Sequence, residues 1–103
     1  MKPEITLSPG ERTIVRGILA DNLPAGTMAF VIGSRAGGRP KPWSDLDIVL
    51  EASEPLPFAV LGSLAEAFDE ALLAWKVDLI DRRAVSPEFA AIVDRTKVPF
   101  DFA

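Results

Sequence analysis

Two short apolar runs constrain this chain more than anything else in it, because each is bounded by residues that cannot belong to a core. Met28-Ala29-Phe30-Val31-Ile32 runs directly into Gly33-Ser34, and Asp47-Ile48-Val49-Leu50-Glu51 follows Asp45-Leu46 with ten residues between Ser34 and Asp45. Runs of this length and β-branched content read as buried strands. In extended backbone, residues i and i+2 share a side, so Asp45 and Asp47 present their carboxylates together while Leu46 and Ile48 face the core. One side of the strand is then a cation site and the other is packing.

The chemistry of that spacing is specific. Two hard divalent ions held about 3.5–4 Å apart by shared carboxylates can polarise an attacking hydroxyl and neutralise a leaving pyrophosphate. Magnesium suits such a site, since it takes oxygen ligands and is usually held by one or two carboxylates plus substrate phosphates. Gly33 lets the backbone turn close to phosphates, and Ser34 offers them a hydroxyl and an amide N–H. A third carboxylate is expected. The segment Trp75-Lys76-Val77-Asp78-Leu79-Ile80-Asp81 reads as a short strand over Lys76–Asp81, with Asp78 on the side opposite Val77 and Leu79. Asp81 has the other parity and precedes Arg82-Arg83, so it reads as a strand-end charge or turn former. Alone, Asp-x-Asp is common in loops, where aspartates cap helices and shape turns. Its coincidence with Gly-Ser and a later strand aspartate is what makes the site. The spacer's Arg35, Arg39 and Lys41 are placed to screen a triphosphate.

These residues resemble the minimal nucleotidyltransferases of the polymerase β superfamily, the antitoxin-type partners of HEPN-domain toxins. The resemblance runs from the helix before Gly33 to the strand holding Asp78, and Arg35-Ala36 continue it as Gly-Ser-Arg-Ala. It implies an α/β (α+β) nucleotidyltransferase fold. It implies that Gly33, Ser34 and Arg35 bind the nucleotide phosphates and that Asp45, Asp47 and Asp78 are both catalytic and metal-binding, holding two Mg2+ ions. It further implies ATP as substrate and a cognate HEPN ribonuclease toxin as partner, silenced by transfer of AMP to a tyrosine hydroxyl. The alternatives are a non-catalytic antitoxin that binds nucleotide or toxin, and a nucleotidyltransferase acting on a small molecule such as an antibiotic. The second usually adds a helical domain for its acceptor, which this length does not accommodate.

Composition bounds the remainder. A chain of 103 residues with 49% hydrophobic and 25% charged residues is expected to form one domain over residues 1–103 around one core. A net charge of −4 argues against general nucleic-acid binding, which needs a basic face to release counterions. With no cysteine and no histidine, proton handling falls to carboxylates or water. No apolar run reaches the roughly 18–20 residues of a membrane span and the start lacks a signal-peptide core, so a cytoplasmic location is expected. The apolar share is high for the size, which suits a homo- or hetero-oligomer.

The flanking elements read consistently. Ser8-Pro9-Gly10-Glu11 has the form of a capping box opening a helix over about Pro9–Asn22, closed by Pro24 and Gly26. After Pro55 and Pro57, Leu61, Leu64, Phe68 and Leu72 mark the core stripe of a second helix. Ser86-Pro87-Glu88 opens a third through about Arg95. The expected architecture is helix, strand, strand, helix, strand, helix: a small mixed sheet with the site along one edge and the helices packed on one face. Trp75 reads as core, and Trp43, near the metal ligands, as a candidate to touch a nucleotide base. Phe100 and Phe102 in the tail read as docking on their own domain or on a partner.

Overall fold

The computed structural model describes residues 4–102. Its first helix, α1 (Pro9–Asn22), begins with the reciprocal cap that the sequence spells. The Glu11 amide donates to Ser8 Oγ at 3.1 Å and the Ser8 amide donates to Glu11 Oε1 at 2.8 Å. Two otherwise orphaned donors are thereby satisfied. The helix buries Val15 and Leu19 and leaves through a turn at Gly26, whose φ of 86° suits glycine.

Four strands form one sheet: β1 (Met28–Ile32), β2 (Leu46–Glu51), β3 (Val77–Asp81) and β4 (Val98–Phe100), in the order β3-β2-β1-β4. The β1–β2 and β1–β4 pairs are antiparallel, whereas β2 and β3 run parallel. A parallel pair needs a crossover, and α2 (Phe58–Glu70) supplies it. The last helix, α3 (Pro87–Thr96), is capped by Ser86 Oγ, which accepts from the Phe89 amide at 3.2 Å.

Strand alternation sorts the core into two layers. Ala29, Val31, Leu46, Ile48, Leu50 and Phe100 pack with Val15, Leu19, Leu64 and Phe68 of α1 and α2. On the reverse side, Phe30, Ile32 and Val49 pack with Val93 and Phe89 of α3. The expected mixed sheet is therefore present, but the expectation that the helices share one face is corrected: α3 lies on the other. The five residues between β3 and α3, Arg82 to Ser86, carry too little sequence signal to decide the side, and the apolar Phe30, Ile32 and Val49 of β1 and β2 required a cover there.

The tail, for which the sequence predicted no element, joins the sheet. It is a fourth strand, with Ala29 opposite Phe100 and Val31 opposite Val98. Pro99 is tolerated because β4 is an edge strand, where a missing N–H can face outward. Phe100 is buried and Phe102 half-buried against the larger core layer, so both rings dock on their own domain. Leu72, expected on the α2 stripe, is 94% exposed because the helix ends at Glu70.

Phe100→Ala is expected to lower unfolding free energy by about 3–5 kcal/mol, visible as a reduced urea midpoint. A loss below about 1 kcal/mol would mean that β4 contributes little to the core.

Candidate active site

The sheet's register assembles the carboxylates. Asp47 sits opposite Ile32, the last residue of β1, and beside Asp78 on parallel β3. Both carboxylates project on the α3 side of the sheet, because Leu46, Ile48, Val77 and Leu79 are drawn into the opposite core layer. α3 packs on that side with Phe30, Ile32, Val49 and Ile80, while the β2 and β3 starts keep their carboxylates partly open. Asp47 is half-buried there and Asp78 exposed.

The two carboxyl groups are within hydrogen-bonding reach of each other. Partial burial pushes the Asp47 carboxyl above its ordinary range, and the contact with Asp78, the charge of Asp78 and then the charge of Asp45 push it further. Two like charges that close need a proton or a cation between them. Asp45, exposed just before β2, acts on Asp47 through its charge. Among the described residues no cluster of three or more acidic groups forms a metal cage. The trio expected to converge is thus a contacting pair with a flanking third member. An all-oxygen pair fits a hard cation that takes its remaining ligands from substrate and water.

Gly33 makes the pairing sterically possible. Its φ is 83°, and a Cβ built there would lie 2.7 Å from Asp47 Oδ2. Any side chain at this position would displace the carboxylate. The Gly33 carbonyl accepts from the Ala36 amide at 3.0 Å, closing a turn that leaves Ser34 exposed. The Ser34 hydroxyl enters no hydrogen bond among the described residues, so both its donor and its acceptor capacity remain open. Gly38 is needed for a different reason: a Cβ on it would stand 2.7 Å from the Ser34 carbonyl oxygen. The spacer folds back tightly on the Gly-Ser turn.

Arg35 departs from its expected place on the phosphates. It is 4% exposed, with Nε donating to Ser44 O at 2.8 Å and Nη1 to Thr6 O at 3.0 Å. Nη2 reaches Lys41 O at 3.5 Å and Pro42 O at 3.4 Å. Its guanidinium stacks on the Trp75 ring at 4.5 Å, and Trp75 Nε1 donates to Glu11 Oε2 at 3.2 Å. The planar fork is spent on backbone carbonyls of Thr6 and of the spacer. Arg35 therefore ties the 41–44 turn, and with it Asp45, to the cap of α1. Sequence reasoning had no signal for this, since a basic residue after Gly-Ser suits phosphate binding equally well.

The turn itself is closed by Ser44 N to Lys41 O at 3.0 Å and Lys41 N to Ser44 Oγ at 2.8 Å. It presents Trp43, 67% exposed, with Lys41 Nζ 5.7 Å from the ring centre. Trp75 is core, as read. Asp81 is the turn former expected: Oδ1 accepts from the Arg83 amide at 2.9 Å and Oδ2 from the Leu56 amide at 3.3 Å.

This site and sheet define a nucleotidyl-transfer fold, and comparison with known proteins agrees. The sequence profile of the nucleotidyltransferase domain matches residues 12–101, and the chain belongs to that family. The probable protein adenylyltransferase MntA of Haemophilus influenzae is 37% identical over 95 residues, which is 92% of this chain and 82% of that protein. Among solved structures, a toxin–antitoxin crystal structure with AMP-PNP superposes with a TM-score of 0.69 at 26% identity, covering 89% of this chain and 73% of that one. The fold also matches a complex of tri-AMPylated Shewanella oneidensis HEPN toxin with MNT antitoxin, at a TM-score of 0.63, 24% identity and the same coverages.

The carboxylate contact has a stability consequence. A proton binds Asp47 more tightly in the folded chain than in the unfolded one, so folding stability falls as pH rises through the unfolded and then the raised folded value. Asp78→Asn removes part of that cost. The metal-free variant is expected to melt roughly 2–5 °C above the wild type at pH 7, with the difference vanishing as pH falls toward about 4. A variant less stable than wild type at pH 7 would contradict the contact.

Proposed function

We propose that this chain is a Mg2+-dependent protein adenylyltransferase that transfers AMP from ATP to a tyrosine hydroxyl of a cognate HEPN ribonuclease toxin in the cytoplasm, silencing the toxin. The observation that carries the reading is the Asp47–Asp78 pair packed against the Cβ-free surface of Gly33. Support for the acceptor class comes from the identity to MntA and the likeness to a toxin–antitoxin structure with AMP-PNP. Asp45, Asp47 and Asp78 would hold the ions, which supply charge neutralisation for the triphosphate and a lowered pKa for the attacking hydroxyl.

The chain's own residues do the positioning. Gly33 lets the triphosphate approach the backbone, and Ser34 offers it an amide N–H and a hydroxyl. The acceptor oxygen bonds to the α-phosphorus as the bridging bond to the β-phosphate breaks, and pyrophosphate leaves. The hydroxyl proton passes to a site carboxylate or to water, since the chain has no histidine or cysteine to take it. Arg35 keeps Asp45 in place through the turn that it clamps. The toxin itself would complete the acceptor pocket.

Asp47→Asn is expected to reduce AMP transfer from labelled ATP to the partner toxin by at least about 10³-fold while leaving the circular dichroism spectrum intact. Full transfer by a folded Asp47→Asn variant would contradict the reading.

A further inference from the structure

With Arg35 enclosed in the loop, the site lacks the cation that its motif led one to expect beside the phosphates. The other positive charges on the carboxylate side of the sheet are mostly engaged. Arg82 is bound to Asp94 at 2.9 Å, and Lys97 to Glu51 at 2.7 Å and Asp94 at 3.4 Å. Arg39 and Lys41 belong to the spacer, on the Gly-Ser flank, and Lys41 lies over Trp43.

Lys76 is different. Its carbonyl accepts from the Leu46 amide at 2.9 Å, so the β2–β3 ladder continues to this residue before Val77 pairs with Leu46. Alternation along the strand places Lys76 on the side of Asp78 and Ile80, away from Val77 and Leu79 in the opposite core layer. It is exposed, and its ammonium enters no ion pair or hydrogen bond among the described residues. Two positions from Asp78, roughly 7 Å along the strand, a four-carbon stem spans the carboxylate site.

The order of elements across this end of the sheet fixes which part of the substrate Lys76 meets. The Gly-Ser turn leaves β1, Asp45 and Asp47 stand at the central β2, and Asp78 and Lys76 lie on β3, the outer strand. A triphosphate tail over Gly33-Ser34 puts its leaving end toward β1 and its α-phosphorus toward β3. In-line attack then brings the acceptor hydroxyl in over the β3 edge.

We propose that Lys76 is a catalytic residue, its ammonium touching the non-bridging oxygens of the α-phosphoryl group as charge redistributes in the transition state. The proposal rests on the adenylyl-transfer reading above. A point charge aimed at the reacting group acts on the rate, whereas one on the triphosphate tail would act on binding.

The test is steady-state AMP transfer from ATP to the partner toxin by Lys76→Met and Lys76→Arg, with Arg16→Met, an exposed position of α1 away from the site, as the charge-matched control. Lys76→Met is expected to lower kcat roughly 100-fold with KM for ATP within about threefold and an unchanged Tm, and Lys76→Arg to restore about tenfold of that loss. Arg16→Met is expected to leave kcat within about threefold. A Lys76→Met kcat within about twofold of wild type overturns the proposal, as does a raised KM at unchanged kcat. Failure of the underlying reading looks different: the wild-type chain itself would transfer no AMP, and the role of Lys76 would fall with it.

Discussion

The site depends on one electrostatically unfavourable contact, the approach of Asp47 to Asp78 across the only parallel strand pair described in the sheet. Left to themselves, two carboxylates would separate. Here register prevents it, because Leu46, Ile48, Val77 and Leu79 each gain from burial against α1 and α2, and the alternate positions have nowhere else to go. Apolar packing on one side of the sheet thus holds like charges together on the other. The stored cost is released by whatever cation binds there, which is a common way for a functional site to trade stability for affinity.

A second constraint governs the loop between the Gly-Ser turn and Asp45. Ten residues with two prolines and two glycines would be free to wander, yet three of the loop's carbonyls converge on one buried guanidinium. Because Arg35 also stacks on Trp75, and Trp75 donates to Glu11 of the α1 cap, the loop is fastened to the rigid part of the domain. The Glu11 carboxyl is held below its usual range, first by the Ser8 amide and also by Trp75 and by the charge of Arg35. The capping box thereby serves the site as well as the helix.

Much of this was legible in the residues. The helix starts at Ser8 and Ser86 carry their caps in sequence, and the parity of Asp47 and Asp78 follows from the apolar neighbours of each. What escaped is tertiary. The side chosen by α3 and the pairing of Val98–Phe100 depend on which surface of β1 remained uncovered, and a three-residue strand containing proline has almost no local signature. The role of Arg35 escaped for the same reason. A residue type that suits phosphates also suits clustered carbonyls, and only the folded loop shows which of the two surrounds it.

The most direct test of the account is a crystal of the chain with Mn2+ and a non-hydrolysable ATP analogue, with the metal located by anomalous scattering. The account predicts a peak bridging Asp47 and Asp78 within about 2.5 Å of carboxylate oxygens, with the triphosphate lying along Gly33-Ser34. Metal and triphosphate bound elsewhere, with Asp47 and Asp78 left unligated, would contradict it.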